Sequence, residues 1–132
     1  MIKNKKDKKS YEWLAKKLDK LFSIFIRKKD KGKCFTCSTQ KPWKEMDAGH
    51  YKLRQHIGTR WIEKNVHCQC TACNRFKHGN LSIYAVRLEK KYGFGILQEL
   101  EDLKNSNKRY KTLELEKLIE YYKNKIEVLK EV

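Results

Sequence analysis

The chain has 132 residues, 39% of them hydrophobic, so it is one domain in size, and its core is small enough that a bound metal would add materially to its stability. Thirty-two Lys and Arg against sixteen Asp and Glu give a formal charge of +16, far beyond what solubility requires, which points to a polyanionic partner, DNA or RNA. No apolar run approaches the roughly 20 residues of a membrane span, and the charged start MIKNKKDKKS lacks the apolar segment and cleavage site of a secretory signal, so the expected compartment is a reducing cytoplasm.

Residues 1–10 are nearly all polar and read as a loose basic arm, for phosphate contact or for solubility. Over 11–30, Leu14, Leu18, Leu21, Phe22 and Phe25 recur at helical spacing with Trp13 and Ile26 beside them, which predicts a helix with one buried face. Gly32, in KKDKGKC, frees the chain to turn into a first cysteine pair. Residues 31–80 carry the chemistry. Beyond Asn80, in a helical region spanning 81–132, Leu81, Tyr84, Ala85 and Leu88 share a face up to a stop at Gly93, and Ile96, Leu97, Leu100 and Leu103 predict a short helix. Leu115, Leu118, Ile119, Tyr122, Ile126 and Leu129 then form a seam at spacings of three and four. That seam packs on its own domain or, in the alternative reading, on a second copy as a homodimer.

Cys34-x2-Cys37 and Cys70-x2-Cys73 are the strongest signal. A two-residue spacer lets a tight turn present two thiolates to one ion, and two such pairs complete a tetrahedral zinc site with no open position for water, hence a structural one. Cys68 is left over as a free or packed thiol. Thirty-two residues separate Cys37 from Cys70, enough for two strands and a loop. In a treble-clef arrangement the first pair lies on a knuckle, a hairpin follows and the second pair opens a helix at CTACNRFKHGN. His50 then falls on the first strand, Asn65 near the start of the second and Asn74 just past the last cysteine. The three are expected to converge.

The order His50, Asn65, Asn74 nested between cysteine pairs resembles the HNH or ββα-metal nucleases. More closely, KPWKEMDAGHY, TRWIEKNVHCQCTACNRFKHGN and YAVRLEKKYG resemble the phage NinG (Rap) recombination proteins over most of the chain. A more distant likeness links it to the phage Holliday-junction resolvase endonuclease VII. The resemblance implies an α+β fold, a zinc-bound ββα core flanked by N- and C-terminal helices, and a metal-dependent DNA endonuclease acting on branched recombination intermediates in a bacterial host. By it His50 is the general base, a task suited to an imidazole that is largely neutral at pH 7. Asn74 is a ligand of a catalytic Mg²⁺ or Mn²⁺. Asn65 orients the His50 region.

The sequence departs from the HNH pattern directly before the histidine, where an acidic ligand is usual and Gly49 stands. Asp47 is the nearest replacement, and it needs a bulge at Ala48-Gly49 to reach the side of His50. Lys52, Arg54, Arg60, Arg75, Lys77 and His78 are candidate DNA contacts that fix a backbone without reading sequence. His67 sits at the site edge or is packed, and Trp61 stacks on a base or is buried. The competing class is a noncatalytic zinc module that binds DNA or RNA. A basic helix lying on an anionic membrane is a third reading.

Overall fold

The computed structural model describes the backbone of residues 2–130 and the side chains of residues 10–130. Helix α1 (Ile2–Lys29) begins far earlier than the expected Tyr11, so the segment read as a loose basic arm is helical in its backbone. The reason is local: lysine is a good helix former, and no Pro or Gly interrupts residues 2–29. The chain divides into two compact units, 1–25 with 109–132, and 26–108.

In the first unit α1 buries Leu14, Ala15, Leu18, Phe22 and Phe25, as its periodicity requires, while Trp13 is largely exposed. The C-terminal helix (Thr112–Lys130) buries Leu115, Ile119, Tyr122 and Ile126, four positions of the seam. The Tyr122 ring lies 5.1 Å from both Phe22, edge-on, and Phe25. The chain's own aromatic side chains therefore cover part of that seam.

The second unit starts with the turn from α1. Gly32 has φ +70°, and a Cβ there would lie 1.9 Å from the Lys41 carbonyl oxygen, so glycine is required where the knuckle folds back. A Lys33–Gln40 bridge closes the knuckle around Cys34 and Cys37. Strand β1 (Asp47–His50) pairs antiparallel with β2 (Val66–Gln69), joined by a connection that contains the short helix α2 (Ile57–Arg60). The register is regular, with Asp47 opposite Gln69, Ala48 opposite Cys68, Gly49 opposite His67 and His50 opposite Val66. The bulge that Asp47 needed is absent. Because side chains alternate, Asp47, Gly49, His67 and Gln69 share one face and His50, Ala48, Val66 and Cys68 the other.

The helix expected to open at the second cysteine pair is a single π turn, Ala72–Phe76. His78, Gly79 and Asn80 take positive φ and end it, and helix α3 (Leu81–Tyr92) starts afresh. Helix α4 (Ile96–Asn105) follows, as the Ile96 to Leu103 pattern predicts. Tyr84, Leu88, Ile96 and Leu100 form the core of this unit, with Phe35, Tyr51, Ile62 and Tyr92 against it. No helix among the described residues is long and apolar enough to cross a membrane.

His67 belongs to this core. Its ring stacks on Phe35 at 4.0 Å, its Nδ1 lies 3.0 Å from the Tyr84 hydroxyl and its Nε2 2.7 Å from that of Tyr92. Tyr84 donates its proton to the Gly49 carbonyl at 2.7 Å, so it accepts from Nδ1–H, and Tyr92 donates to Nε2. Burial, reinforced by the charges of Lys91 and Lys29, pushes the imidazole down to about 3. A histidine held neutral contributes stability that is complete above its unfolded pKa, near 6.5, and is lost as pH falls toward the folded value, at about 1.4 kcal/mol per pH unit. At saturating zinc, His67→Gln should therefore lower the slope of unfolding free energy against pH by about one proton between roughly pH 6 and 4. Equal slopes in denaturant titrations of the two proteins would show that His67 is not the neutral group.

Candidate functional site

The sulfurs of Cys34, Cys37, Cys70 and Cys73 all lie within 4.8 Å of one another, and those of Cys37 and Cys70 are 3.6 Å apart. Tetrahedral zinc with bonds of about 2.3 Å sets sulfurs about 3.8 Å apart, so the four thiols can hold such an ion with small adjustment. Three are buried and Cys37 is exposed. Burial opposes ionisation of Cys34, but the Thr36 hydroxyl and the backbone N–H groups of Cys70, Cys37 and Thr36 outweigh it and bring the thiol down to about 6. Cys70 goes the other way, held at about 12 chiefly by burial, against the Cys73 N–H. Cys68 is buried, and burial together with the Asp30 carboxylate raises its thiol to about 12, which makes it inert packing.

Gln69 ties the two halves of this cluster together. Its Nε2 donates to the Thr36 hydroxyl at 3.1 Å and to the Gly79 carbonyl at 2.9 Å, bridging the knuckle to the end of the π turn. The same side chain lies over Gly49, where an added Cβ would come within 1.8 Å of its Oε1. A side chain at position 49 would therefore displace the Gln69 amide.

His50 closes β1, half-buried, with Nε2 3.0 Å from the Arg60 carbonyl oxygen. An N–H donated there fixes the tautomer and makes Nδ1 the ring's proton acceptor. Arg60 ends α2, and Asn65, fully buried, fixes the connection that carries it. The Asn65 Oδ1 accepts from the Lys52 N–H at 2.8 Å, while Nδ2 donates to the carbonyls of Lys52 and Thr59 at 3.0 and 3.1 Å. Asn65 thus holds backbone at both ends of the loop beside His50.

Asp47 and Asn74 meet elsewhere. The Asn74 Nδ2 donates to Asp47 Oδ2 at 3.1 Å, and Arg75 grips both carboxylate oxygens through Nε and Nη2 at 3.0 Å each. These hydrogen bonds tie Asn65 to the loop beside His50 and Asn74 to Asp47, on the other face of β1 from His50. The regular β1 register sets Asp47 on the face opposite His50.

The candidate DNA contacts divide as well. Lys77 and His78 are exposed on the turn after the π segment, beside Phe76, which is 80% exposed. Arg54 is exposed. Arg75 is engaged by Asp47, the Lys52 ammonium is paired with Glu101, and the Arg60 guanidinium lies 4.8 Å over the ring of Trp61, which is buried.

The family profile described as Bacteriophage Lambda NinG protein matches residues 1–131. The chain belongs to the NinG family. It is 32% identical to protein ninG of Salmonella phage P22 over 121 residues, which cover 90% of this chain and 58% of that protein. Protein ninG of Escherichia phage lambda is 35% identical over 104 residues, 77% of this chain and 49% of the relative, and that of Escherichia phage 933W matches 50% of its own length at the same identity. This NinG-family chain thus spans about half the length of the curated relatives it matches. No solved structure matches it. In this NinG-family chain the groups that sequence reasoning missed are Gln69, Tyr84 and the Arg75 partner of Asp47. The sequence pattern places Tyr84 only on a buried helix face and Arg75 only among DNA contacts, while Gln69 leaves the trace of a polar residue in the strand-like run VHCQ.

Proposed function

We propose that the chain is a metal-dependent DNA endonuclease that acts on branched recombination intermediates in the cytoplasm of a bacterial host, with the four-cysteine zinc site as a structural staple. The observation that carries the reading is the His50 Nε2 contact to the Arg60 carbonyl. It supports a histidine whose ring is oriented by backbone, on a loop that Asn65 holds in place. In this reading Nδ1 takes a proton from water as the oxygen attacks phosphorus, the Arg60 carbonyl stabilises the imidazolium, and the 3′-oxygen leaves with the P–O electron pair and takes a proton from solvent, giving 5′-phosphate and 3′-hydroxyl ends. Asn74 fits a divalent ion, since its amide nitrogen faces Asp47 and its other donor is a hard oxygen. Bound Mg²⁺ or Mn²⁺ supplies charge relief at the phosphate. Asp47 would take part only by giving up its contacts with Arg75, which engages both its oxygens.

That last contact, with Asp47 on the face away from His50, favours the second reading, a noncatalytic zinc module that binds DNA or RNA. Labelled four-way, flapped and linear DNA incubated with purified protein separates them. Cleavage of branched DNA that requires Mg²⁺ or Mn²⁺ is the expected result. Binding without cleavage under any divalent ion would replace the endonuclease by the module.

A further inference from the structure

Helix α3 and the knuckle border an open concavity of about 300 Å³ that the proposed reaction does not use. Arg87, Lys90 and Lys91 line it from α3 and Lys33 from the knuckle, with Phe35 and Asp30 beside them. The three helix cations stand at i, i+3 and i+4 and so share one face. A helix C-terminus favours Lys90 and Lys91 in its last turn, but it accounts neither for Arg87 nor for Lys33 on another segment. Asp30 offsets only part of that charge: its Oδ2 accepts the Cys68 N–H at 2.8 Å, its Oδ1 lies 3.9 Å from Lys29, and one carboxylate faces four cations. Among the described residues none of the four cations makes an ion pair. The Lys91 ammonium has instead the Phe35 ring, at 5.7 Å.

Four like charges around one concavity repel one another, and a bound anion removes that repulsion. The volume is at the small end for ligand sites, enough for a phosphate with its sugar and too little for a base-paired duplex. Its position matters as much as its charge. Phe35 stacks on His67 and α3 reaches Gly49 through Tyr84, so the cavity is built on the sheet face of His67, whereas His50 belongs to the other face.

We infer that this cavity is a second phosphate site for a nucleic-acid strand, engaging a different arm of a branched DNA from the one presented to His50. The inference rests on the nucleic-acid part of the function proposed above, and a branch that offers a second arm to these cations is held by more phosphate contacts than a straight duplex.

Arg87→Gln with Lys91→Gln tests it, since neither side chain makes a hydrogen bond that the fold depends on. With two phosphate contacts gone, affinity for a four-way junction should fall about tenfold or more, and the junction's logarithmic salt slope should drop by about two. Affinity for a linear duplex of equal length should stay within about twofold. Lys33→Gln, on the other segment, should reproduce part of the junction effect. Equal losses on junction and duplex would overturn the two-face arrangement, and no loss on either would overturn the site. Calorimetry with pyrophosphate separates a free anion from a strand: if the double variant loses pyrophosphate binding yet holds the junction like wild type, the strand assignment fails. Cleavage is scored separately, so a junction bound through these cations but never cut removes the endonuclease and leaves the phosphate site standing.

Discussion

His50→Ala should cut cleavage of branched DNA by about 10² to 10⁴, the range for losing general-base assistance, while zinc content, melting temperature and DNA affinity stay near wild type. The separation is expected because the ring is half-buried at the end of β1 and its contact is to a backbone carbonyl, so its removal opens no large cavity. Asn65→Ala should fail differently. Its side chain is fully buried and makes three hydrogen bonds to the loop, so the variant should lose stability along with activity, leaving buried backbone groups of Lys52 and Thr59 unpaired. Asn74→Ala forms a third pattern, a defect partly relieved by raising Mn²⁺, which no metal concentration achieves for a missing proton acceptor. Equal cleavage by wild type and a folded, DNA-binding His50→Ala protein would refute the base assignment.

What the sequence made legible follows from how local each determinant is. The metal cluster was readable because a Cys-x2-Cys turn fixes two sulfurs within four residues, and the helix faces because Leu115, Ile119, Tyr122 and Ile126 repeat at the helical period. His50 on one strand and Asn65 near the start of the next followed from the 32-residue spacing between the cysteine pairs once it was taken as two strands and a loop. The Arg75 grip on Asp47 spans 28 positions and the Lys52 pair with Glu101 spans 49, and no periodicity encodes such partners. Two residues listed among phosphate-binding candidates were thereby engaged within the fold. His67 was ambiguous for the same reason: its strand position gave a face, but the two tyrosines that hydrogen-bond its ring lie on α3, 17 and 25 positions away. The glycine before His50 looked like a defect of the motif until Gln69, its diagonal neighbour across the sheet, was seen to fill the space.

Cys73→Ser should bind less than one equivalent of zinc and melt far below wild type. Structural zinc contributes about 10–16 kcal/mol to the folding of small modules at pH 7, whereas a whole domain is stable by only about 5–15 kcal/mol. One ligand is therefore worth a large fraction of the total. The position is unforgiving as well, because the Cys73 sulfur is buried and receives the Asn80 Nδ2 at 3.6 Å at the point where the π turn ends, so its loss loosens the turn that also bears Asn74 and Arg75. Cys68→Ala is the matched control. Cys68 is equally buried but stands outside the four-sulfur cluster, so this change should keep a full equivalent of zinc and cost about 1–3 kcal/mol, the ordinary range for a core truncation. A chelator added to wild type should reproduce the Cys73→Ser melting curve and leave the variant's own curve unmoved. If both cysteine variants melt alike, or if chelation leaves wild type unchanged, the four thiols are packing rather than a metal centre, and Asp47, Asn74 and Arg75 owe their placement to the Gln69 bridge alone.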